Sequence, residues 1–339
     1  MLQELLKIKI SKAVNKILII RYSSIGDVIL TSPVVRCIKQ QTNAEIHILT
    51  KSNFASLFES NPHVTKVHLS NEQSFSKMIK NLKNENFDLI VDLHKNAKSL
   101  LTRFFLWRPA ISFDKLNFRK WLFVLFKINK LPQNIHLVDR YFQSLKKINI
   151  TNDDIGLEYF YKSNFIPPRL EALNSKYCVG VLGAAHNTKM IPIEKWNQWI
   201  PQLPYPILLV GGKKEQLIQA TLTQLHKNVI PIGKFKTLDD TAHFIQHAEF
   251  VITPDTGMMH LAAAFQKKIL AIWGNTTPSF GMYPYFAKNK SQYISSEVNE
   301  LNCRPCSKLG YNKCPKGHHS CMLKQPNELS SLIENITRL

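Results

Sequence analysis

The 339-residue sequence predicts an α/β protein with two parallel sheets, each covered by helices. Three observations carry that expectation. Strand-like and helix-like runs alternate in the first half, and the alternation restarts near Tyr177. Between the halves, Asn164 to Leu170 holds paired prolines, which cannot continue a helix and read as a linker. Finally, two loops centred on Asp27 and Asp255 share one plan. Each has an apolar strand, a tight turn with one Gly and one Asp, and a helix-like run. That plan puts a ligand site at the carboxyl end of a parallel strand. One such site in each half predicts two ligands meeting in a cleft. The expected division is an N-terminal domain over 1–165, a C-terminal domain over 166–325 and a final helix over 326–339.

In chain order, residues 16–20 read as a strand and Val28 to Gln40 as a helix, with Pro33 tolerated near its start. Strands follow at Glu45–Thr50, Val64–Leu69 and Phe87–Leu93, with a helix at Phe75–Asn84. Helices dominate from Ala97 to Lys147. The second alternation has strands at Tyr177–Leu182, Pro206–Val210, Val229–Ile232, Phe250–Ile252 and Ile269–Trp273, and a helix at Glu194–Pro201.

Hydrophobic content of 44% fits a soluble globular protein. No apolar run approaches the roughly 20 residues of a membrane span. Met1 to Ile10 has no uninterrupted apolar stretch and no small-residue cleavage site, so a signal peptide is rejected and a cytoplasmic location expected. The net charge of +20 predicts attraction to something anionic: nucleic acid, a phosphorylated substrate or an acidic membrane surface. Gly26 stands without the further glycines of a dinucleotide fingerprint, and no Walker A sequence occurs, which argues against a nicotinamide enzyme or a P-loop ATPase.

Asp27 is either a general base at a cleft mouth or a carboxylate serving a helix start. A helix start lowers a carboxylate pKa, which suits a reaction whose hydroxyl becomes acidic only as its new bond forms. Ser23, Ser24 and the Gly26 amide either hold neighbouring oxygens or shape the turn. In the second loop, helix-start amides and Gly257 suit phosphate, and Thr256 adds a hydroxyl. Asp255 would repel a diphosphate, so it orients amides or meets a sugar hydroxyl. His260 contacts phosphate or sugar, or is a helix-face histidine satisfied by backbone. Lys189, after another strand, could meet the charge of a departing nucleoside diphosphate where no acidic pair is placed to hold magnesium. Cys303, Cys306, Cys314 and Cys321 have the spacing C-x2-C-x7-C-x6-C, and form either a structural zinc site or a compact loop of unliganded thiols.

SSIGDVILTSP (23–33), LGAAHNTKMIP (182–192) and PDTGMMHLAAA (254–264), in this order and spacing, resemble glycosyltransferase family 9, the bacterial ADP-heptose:lipopolysaccharide heptosyltransferases. The cysteine segment resembles a tail of the heptosyltransferase II type. The resemblance implies a GT-B fold, two Rossmann-like domains facing across a cleft. It implies inverting transfer of heptose from ADP-heptose to the lipopolysaccharide inner core, with no cofactor required for catalysis. It makes Asp27 the base and Lys189 the diphosphate lysine. Thr188, Asp255, Thr256, Gly257 and His260 fall in the donor site. Ser24, Gly26, His94, His136 and Arg140 fall on the acceptor side. The basic charge then acquires a partner, a phosphorylated glycolipid at the inner leaflet. The helix Lys115–Lys130, mixing aromatic and basic residues, either rests on that surface or is an ordinary core helix. The alternatives are another nucleotide-sugar donor or glycan acceptor, and a basic nucleic-acid-binding α/β protein, for which no motif is present.

Overall fold

The computed structural model describes residues 14–167, 176–231 and 237–338. The reading of Met1 to Ile10, linker residues 168–170, Ile232 and Leu339 lie outside them. The chain divides into two compact units. One holds the described residues up to Lys115, with Leu137–Asp154 and Glu158–Ser163. The other holds Leu116–His136, Ile155–Leu157 and the described residues from Asn164 onward.

The elements run β1 (Lys16–Ile20), α1 (Ile25–Ile29), α2 (Ser32–Thr42), β2 (Glu45–Thr50), α3 (Ser56–Glu59), β3 (Lys66–Leu69), α4 (Phe75–Asn84), β4 (Leu89–Asp92), α5 (Ala97–Leu106) and β5 (Ala110–Ser112). Next come α6 (Asn117–Phe126), a member of the second unit, and α7 (Leu137–Leu145) of the first. The second unit continues with β6 (Cys178–Val181), α8 (Ile193–Trp199), β7 (Ile207–Val210), α9 (Gln216–Leu225), α10 (Leu238–His247), β8 (Phe250–Pro254), α11 (Gly257–Ala264), β9 (Lys268–Trp273), β10 (Tyr293–Glu297), α12 (Ser320–Leu323) and α13 (Ser330–Arg338).

Both sheets are parallel, ordered β3-β2-β1-β4-β5 and β10-β9-β8-β6-β7. Their central strands are apolar almost throughout because helices cover both faces. Ile17 to Ile20 and Ile207 to Leu209 have no solvent exposure. In the second unit Trp196 and Trp199 pack into the core with Phe250, Ile272 and Ile333.

The expected helix from Val28 to Gln40 is two helices. Pro33 has no N–H to give the Ile29 carbonyl, and the Ser32 hydroxyl donates to that carbonyl at 2.8 Å. Thr31 Oγ1 likewise donates to the Val28 carbonyl at 2.6 Å. The expected strand at Val229–Ile232 is an isolated bridge between Val229 and Ile207. Ile230 donates to the Ile207 carbonyl at 2.8 Å, and Pro231 then has no donor with which to extend the ladder. The short strands β5 and β10 were not expected from sequence periodicity.

Candidate functional site

In each sheet the first strand has neighbours on its two sides, reached by connections that run in opposite directions across the sheet. From β1 the chain passes to β2 and β3, then returns to β4 on the other side. From β6 it passes to β7, then returns to β8. Loops leaving the carboxyl ends of such strands diverge, which opens a crevice for ligands. In the first unit these are the loops after β1 and β4, and in the second those after β6 and β8.

The first loop carries Arg21 and Asp27. Arg21 is buried, and its guanidinium pairs with Asp27 Oδ1. Its Nε donates to the Ser23 carbonyl at 2.9 Å, and Nη1 donates to the Leu93 carbonyl and to Tyr141 Oη at 3.1 Å. Asp27 Oδ2 accepts from the Ser24 amide at 3.2 Å and the Ser24 hydroxyl at 2.9 Å. Burial opposes charge on Asp27, but the Arg21 cation and the Ser24 donors outweigh it and hold the carboxyl below its ordinary value of 3.8. The carboxylate is therefore ionised and fixed. Its side chain keeps 22% exposure. Gly26 is buried in the first turn of α1 and its carbonyl accepts from Leu30 at 2.9 Å.

The loop after β4 is shaped by Asp92, fully buried, whose Oδ1 accepts from the amides of His94 at 3.0 Å and Lys95 at 2.7 Å. Ser99 Oγ donates to the other oxygen at 2.9 Å. His94 stands edge-on to Tyr22 with ring centroids 5.0 Å apart. Burial, then the charges of Arg21 and Lys115, push its pKa down to about 4, so His94 is neutral. Lys115 is itself lowered, by burial first and Arg21 second. Asp27, His94, Arg21 and Lys115 thus share one electrostatic neighbourhood with excess positive charge. Arg140 lies on α7, buried, with Nη1 donating to the Asp114 carbonyl at 3.4 Å. His136 belongs to the second unit. Its Nε2 pairs with the Tyr283 carbonyl at 2.9 Å and its ring lies tilted by 33° against Tyr285, centroids 4.7 Å apart.

In the second unit, Lys189 Nζ lies 2.7 Å from Asp255 Oδ2. The Thr276 hydroxyl donates to the same oxygen at 2.8 Å. Asp255 follows β8 directly, and Thr256 caps α11, its hydroxyl accepting from the Met258 amide at 3.0 Å. Gly257 opens that helix and His260 lies buried along it. Thr188 is buried and bonds to Tyr311. Its hydroxyl donates to the Tyr311 carbonyl at 3.0 Å and accepts from the Tyr311 amide at 2.8 Å.

Thr188 therefore fastens the cysteine segment to the Lys189 loop. Gly310 makes that approach feasible: its φ of +130° suits glycine, and a Cβ there would meet His186 at 2.6 Å. Arg304 anchors the segment from the other side. It donates to the carbonyls of Gly274 at 2.6 Å, Val298 at 2.8 Å and Thr276 at 2.9 Å, and pairs with Glu297 at 3.0 Å.

The six cysteines are thiols. Cys321 is raised to about 11, chiefly by burial, and Cys303 Sγ lies 3.9 Å from His318 Nε2. The four tail sulfurs are not drawn into a tight ligand set. Among the described residues, the group whose ligand atoms lie within 4.8 Å of one another is His47, His68 and Glu85. There Glu85 already pairs with Lys66 at 2.6 Å and Lys16 at 3.5 Å. That cluster sits toward the amino ends of the strands, away from the loops that carry Asp27 and His94. His47, His68 and Glu85 could together hold a metal ion, with Glu85 shared between that group and its two lysines.

The profile of glycosyltransferase family 9 (heptosyltransferase) matches residues 75–312. The chain belongs to glycosyltransferase family 9. Curated relatives agree. Lipopolysaccharide heptosyltransferase 1 of Campylobacter coli is 24% identical over 297 residues, covering 78% of this chain and 85% of the relative. Lipooligosaccharide heptosyltransferase 2 of Campylobacter jejuni serotype O:6 is 24% identical over 334 residues, covering 93% and 96%. Among solved structures, the family 9 glycosyltransferase of Veillonella parvula superposes with a TM-score of 0.70 at 18% identity, covering 95% of this chain and 97% of that one. The Escherichia coli heptosyltransferase WaaC with ADP gives 0.64 at 22% identity, covering 85% and 95%. The protein is thus a glycosyltransferase with two Rossmann-like units of the GT-B type. Among the described residues, no helix is long and apolar enough to cross a membrane.

Sequence reasoning missed Arg21, Thr276, Arg304 and Lys115. Arg21 and Thr276 carry a usable signal, since each lies just beyond the carboxyl end of a strand. Arg304 sits inside the cysteine motif, between Cys303 and Pro305, where the spacing of the thiols says nothing of an arginine anchor. For Lys115, one lysine in a Lys-rich chain, there was no signal.

Proposed function

We propose that the protein transfers heptose from ADP-heptose to a hydroxyl of a phosphorylated lipopolysaccharide inner-core acceptor, with inversion at the anomeric carbon. The observation that carries this reading is that the crevice loops of each sheet hold one charged pair, Arg21–Asp27 in the first and Lys189–Asp255 in the second.

In this reading the acceptor hydroxyl oxygen attacks the anomeric carbon as the bond from that carbon to the diphosphate oxygen breaks. ADP leaves with the bonding pair. The hydroxyl proton passes to Asp27, late in bond formation, which accommodates a weakly basic carboxylate. Arg21 and Ser24 hold that carboxylate in place. Lys189 meets the charge developing on the diphosphate, aided by the α11 amides at Gly257, by Thr256 and by His260. Asp255 acts by fixing the lysine, and Thr188 by positioning the loop that carries it. The positive surroundings of Asp27, with His94 and Arg140, suit a phosphorylated acceptor.

The acceptor is a glycolipid, so the protein works peripherally at the inner face of the inner membrane. Support comes from α6, where Phe118 and Leu125 are exposed. The deciding experiment is transfer by purified protein from ADP-heptose and rival nucleotide sugars to defined core acceptors, with and without a chelator. Preference for a rival donor would overturn the donor assignment, and retention at the anomeric carbon would overturn the mechanism.

A further inference from the structure

Helix α5 is inside out. Its buried positions are Ser99, Thr102 and Leu106, two of them hydroxyl residues. Ser99 donates to buried Asp92, and Thr102 Oγ1 lies 3.0 Å from Tyr22 Oη. Its outward positions are Leu100, Leu101, Phe104 and Phe105, followed by the C-cap Trp107. Phe104 is 63% exposed and Trp107 83%. Single exposed apolar residues are ordinary, but five large ones contiguous on one helix are not. Phe104 also packs edge-on against Phe105 and Trp107, so the side chains form one continuous face. Trp107 holds a left-handed backbone at φ +51°, costly for a bulky residue that gains little burial in return.

The charge along this segment is basic, although Arg103 also reaches the buried Asp92 carboxylate at 3.6 Å. From Leu93 to Phe113 the chain has Lys95, Lys98, Arg103 and Arg108 and no acidic residue. A groove of about 540 Å³ runs beside Phe104 and Trp107, with Arg103 and Arg108 on its wall. Helix α4 packs alongside through Phe75 and Phe105 and exposes Lys77, Lys80 and Lys83.

We propose that α5 docks the first unit onto an anionic lipid bilayer. The aromatic face enters the headgroup boundary while the arginines and lysines meet lipid phosphates. This deepens the reading above, on which it rests for its biological setting. A peptide partner would have to supply both an apolar groove and a surrounding anionic field. A bilayer of acidic lipids presents both over its whole surface.

The test is flotation of the full chain with phosphatidylcholine vesicles and with phosphatidylcholine–phosphatidylglycerol vesicles, neither containing a sugar acceptor. Wild-type protein is expected to float with the anionic vesicles only. A Phe104→Ser/Trp107→Ser variant should float on the order of ten-fold less. A Leu217→Ser variant, altering an exposed leucine on α9, should float like wild type. Brominated lipid should quench wild-type tryptophan fluorescence more than that of a Trp107→Phe variant. Transfer to a lipid-free acceptor should be unchanged in the double variant, so failed glycosyl transfer and failed membrane docking register separately. Equal flotation of wild type and double variant would overturn the proposal, as would equal quenching. So would a wild-type dimer that the double substitution splits, because the face would then cover a second copy.

Discussion

Lys189 and Asp255, far apart in sequence, join the loop leaving β6 to the loop leaving β8 through a 2.7 Å ion pair. Thr276, just past β9, donates to the same carboxylate oxygen, so three strand ends converge on one side chain.

That convergence predicts strong coupling. Lys189→Ala should lower kcat/KM for the nucleotide sugar by about 10²-fold, the scale of removing one charge-stabilising donor. Asp255→Ala should act through the lysine. The double variant should therefore be little worse than Lys189→Ala alone, giving a large non-additive term in steady-state kinetics. Simple addition of the two losses would refute the positioning role of Asp255.

Asp27→Ala should lower transfer by about 10³-fold while ADP affinity, measured by calorimetry, stays near wild type. Asp27→Asn keeps the shape but not the base and should be comparably slow. A variant with wild-type turnover would remove Asp27 from the base role.

These two pairs mark what the sequence made legible. The loops of Asp27 and Asp255 each follow an apolar strand and open a helix, so strand, turn and helix start could be read locally. What could not be read was partnership. Arg21 finds Tyr141 and the Leu93 carbonyl only after β1, β4 and α7 have packed. Thr188 gave no sign in the sequence that its hydroxyl bonds to Tyr311, 123 residues away. The helix break before Pro33 was hidden because two side-chain hydroxyls take carbonyls that a continuous helix would have bonded. The inverted face of α5 was missed because an apolar helix normally turns its apolar residues inward.

Acid should weaken the fold in two stages. His94 and His68 titrate near 4 in the folded chain, against 6.5 unperturbed. Between those values the unfolded chain binds protons that the folded chain does not, so stability falls as pH drops from about 6.5 to 4. The Arg21–Asp27 contribution is complete above the unfolded carboxyl value near 4 and is lost as pH falls through the lower folded one. Urea midpoints followed from pH 7 to 4 should decline, and His94→Gln should flatten the first stage. A midpoint independent of pH across that window would contradict the assignment.

Arg304→Ala should destabilise the second unit by about 3 kcal/mol, since it leaves Glu297 and three carbonyls without their donor. Because one of those carbonyls belongs to Thr276, KM for the donor should also rise. Thermal melts and donor kinetics on the same preparation check both effects. A melting temperature matching wild type would exclude the anchoring role.

The segment Leu116–His136 has a consequence for how the polypeptide can be divided. It precedes α7 in the chain yet is counted with the second unit, where Lys127 Nζ donates to the carbonyls of Cys303 at 3.2 Å and Pro305 at 2.9 Å. The main chain leaves the first unit after Lys115, re-enters at Leu137, and leaves and re-enters again around Ile155–Leu157. No single cut can yield two complete halves. A clone beginning downstream of Leu157 would lack the lysine that ties down the cysteine segment, and a clone ending there would carry an orphaned helix. The loops that carry Asp27 and Asp255 therefore belong to units that can be made whole only as one continuous polypeptide.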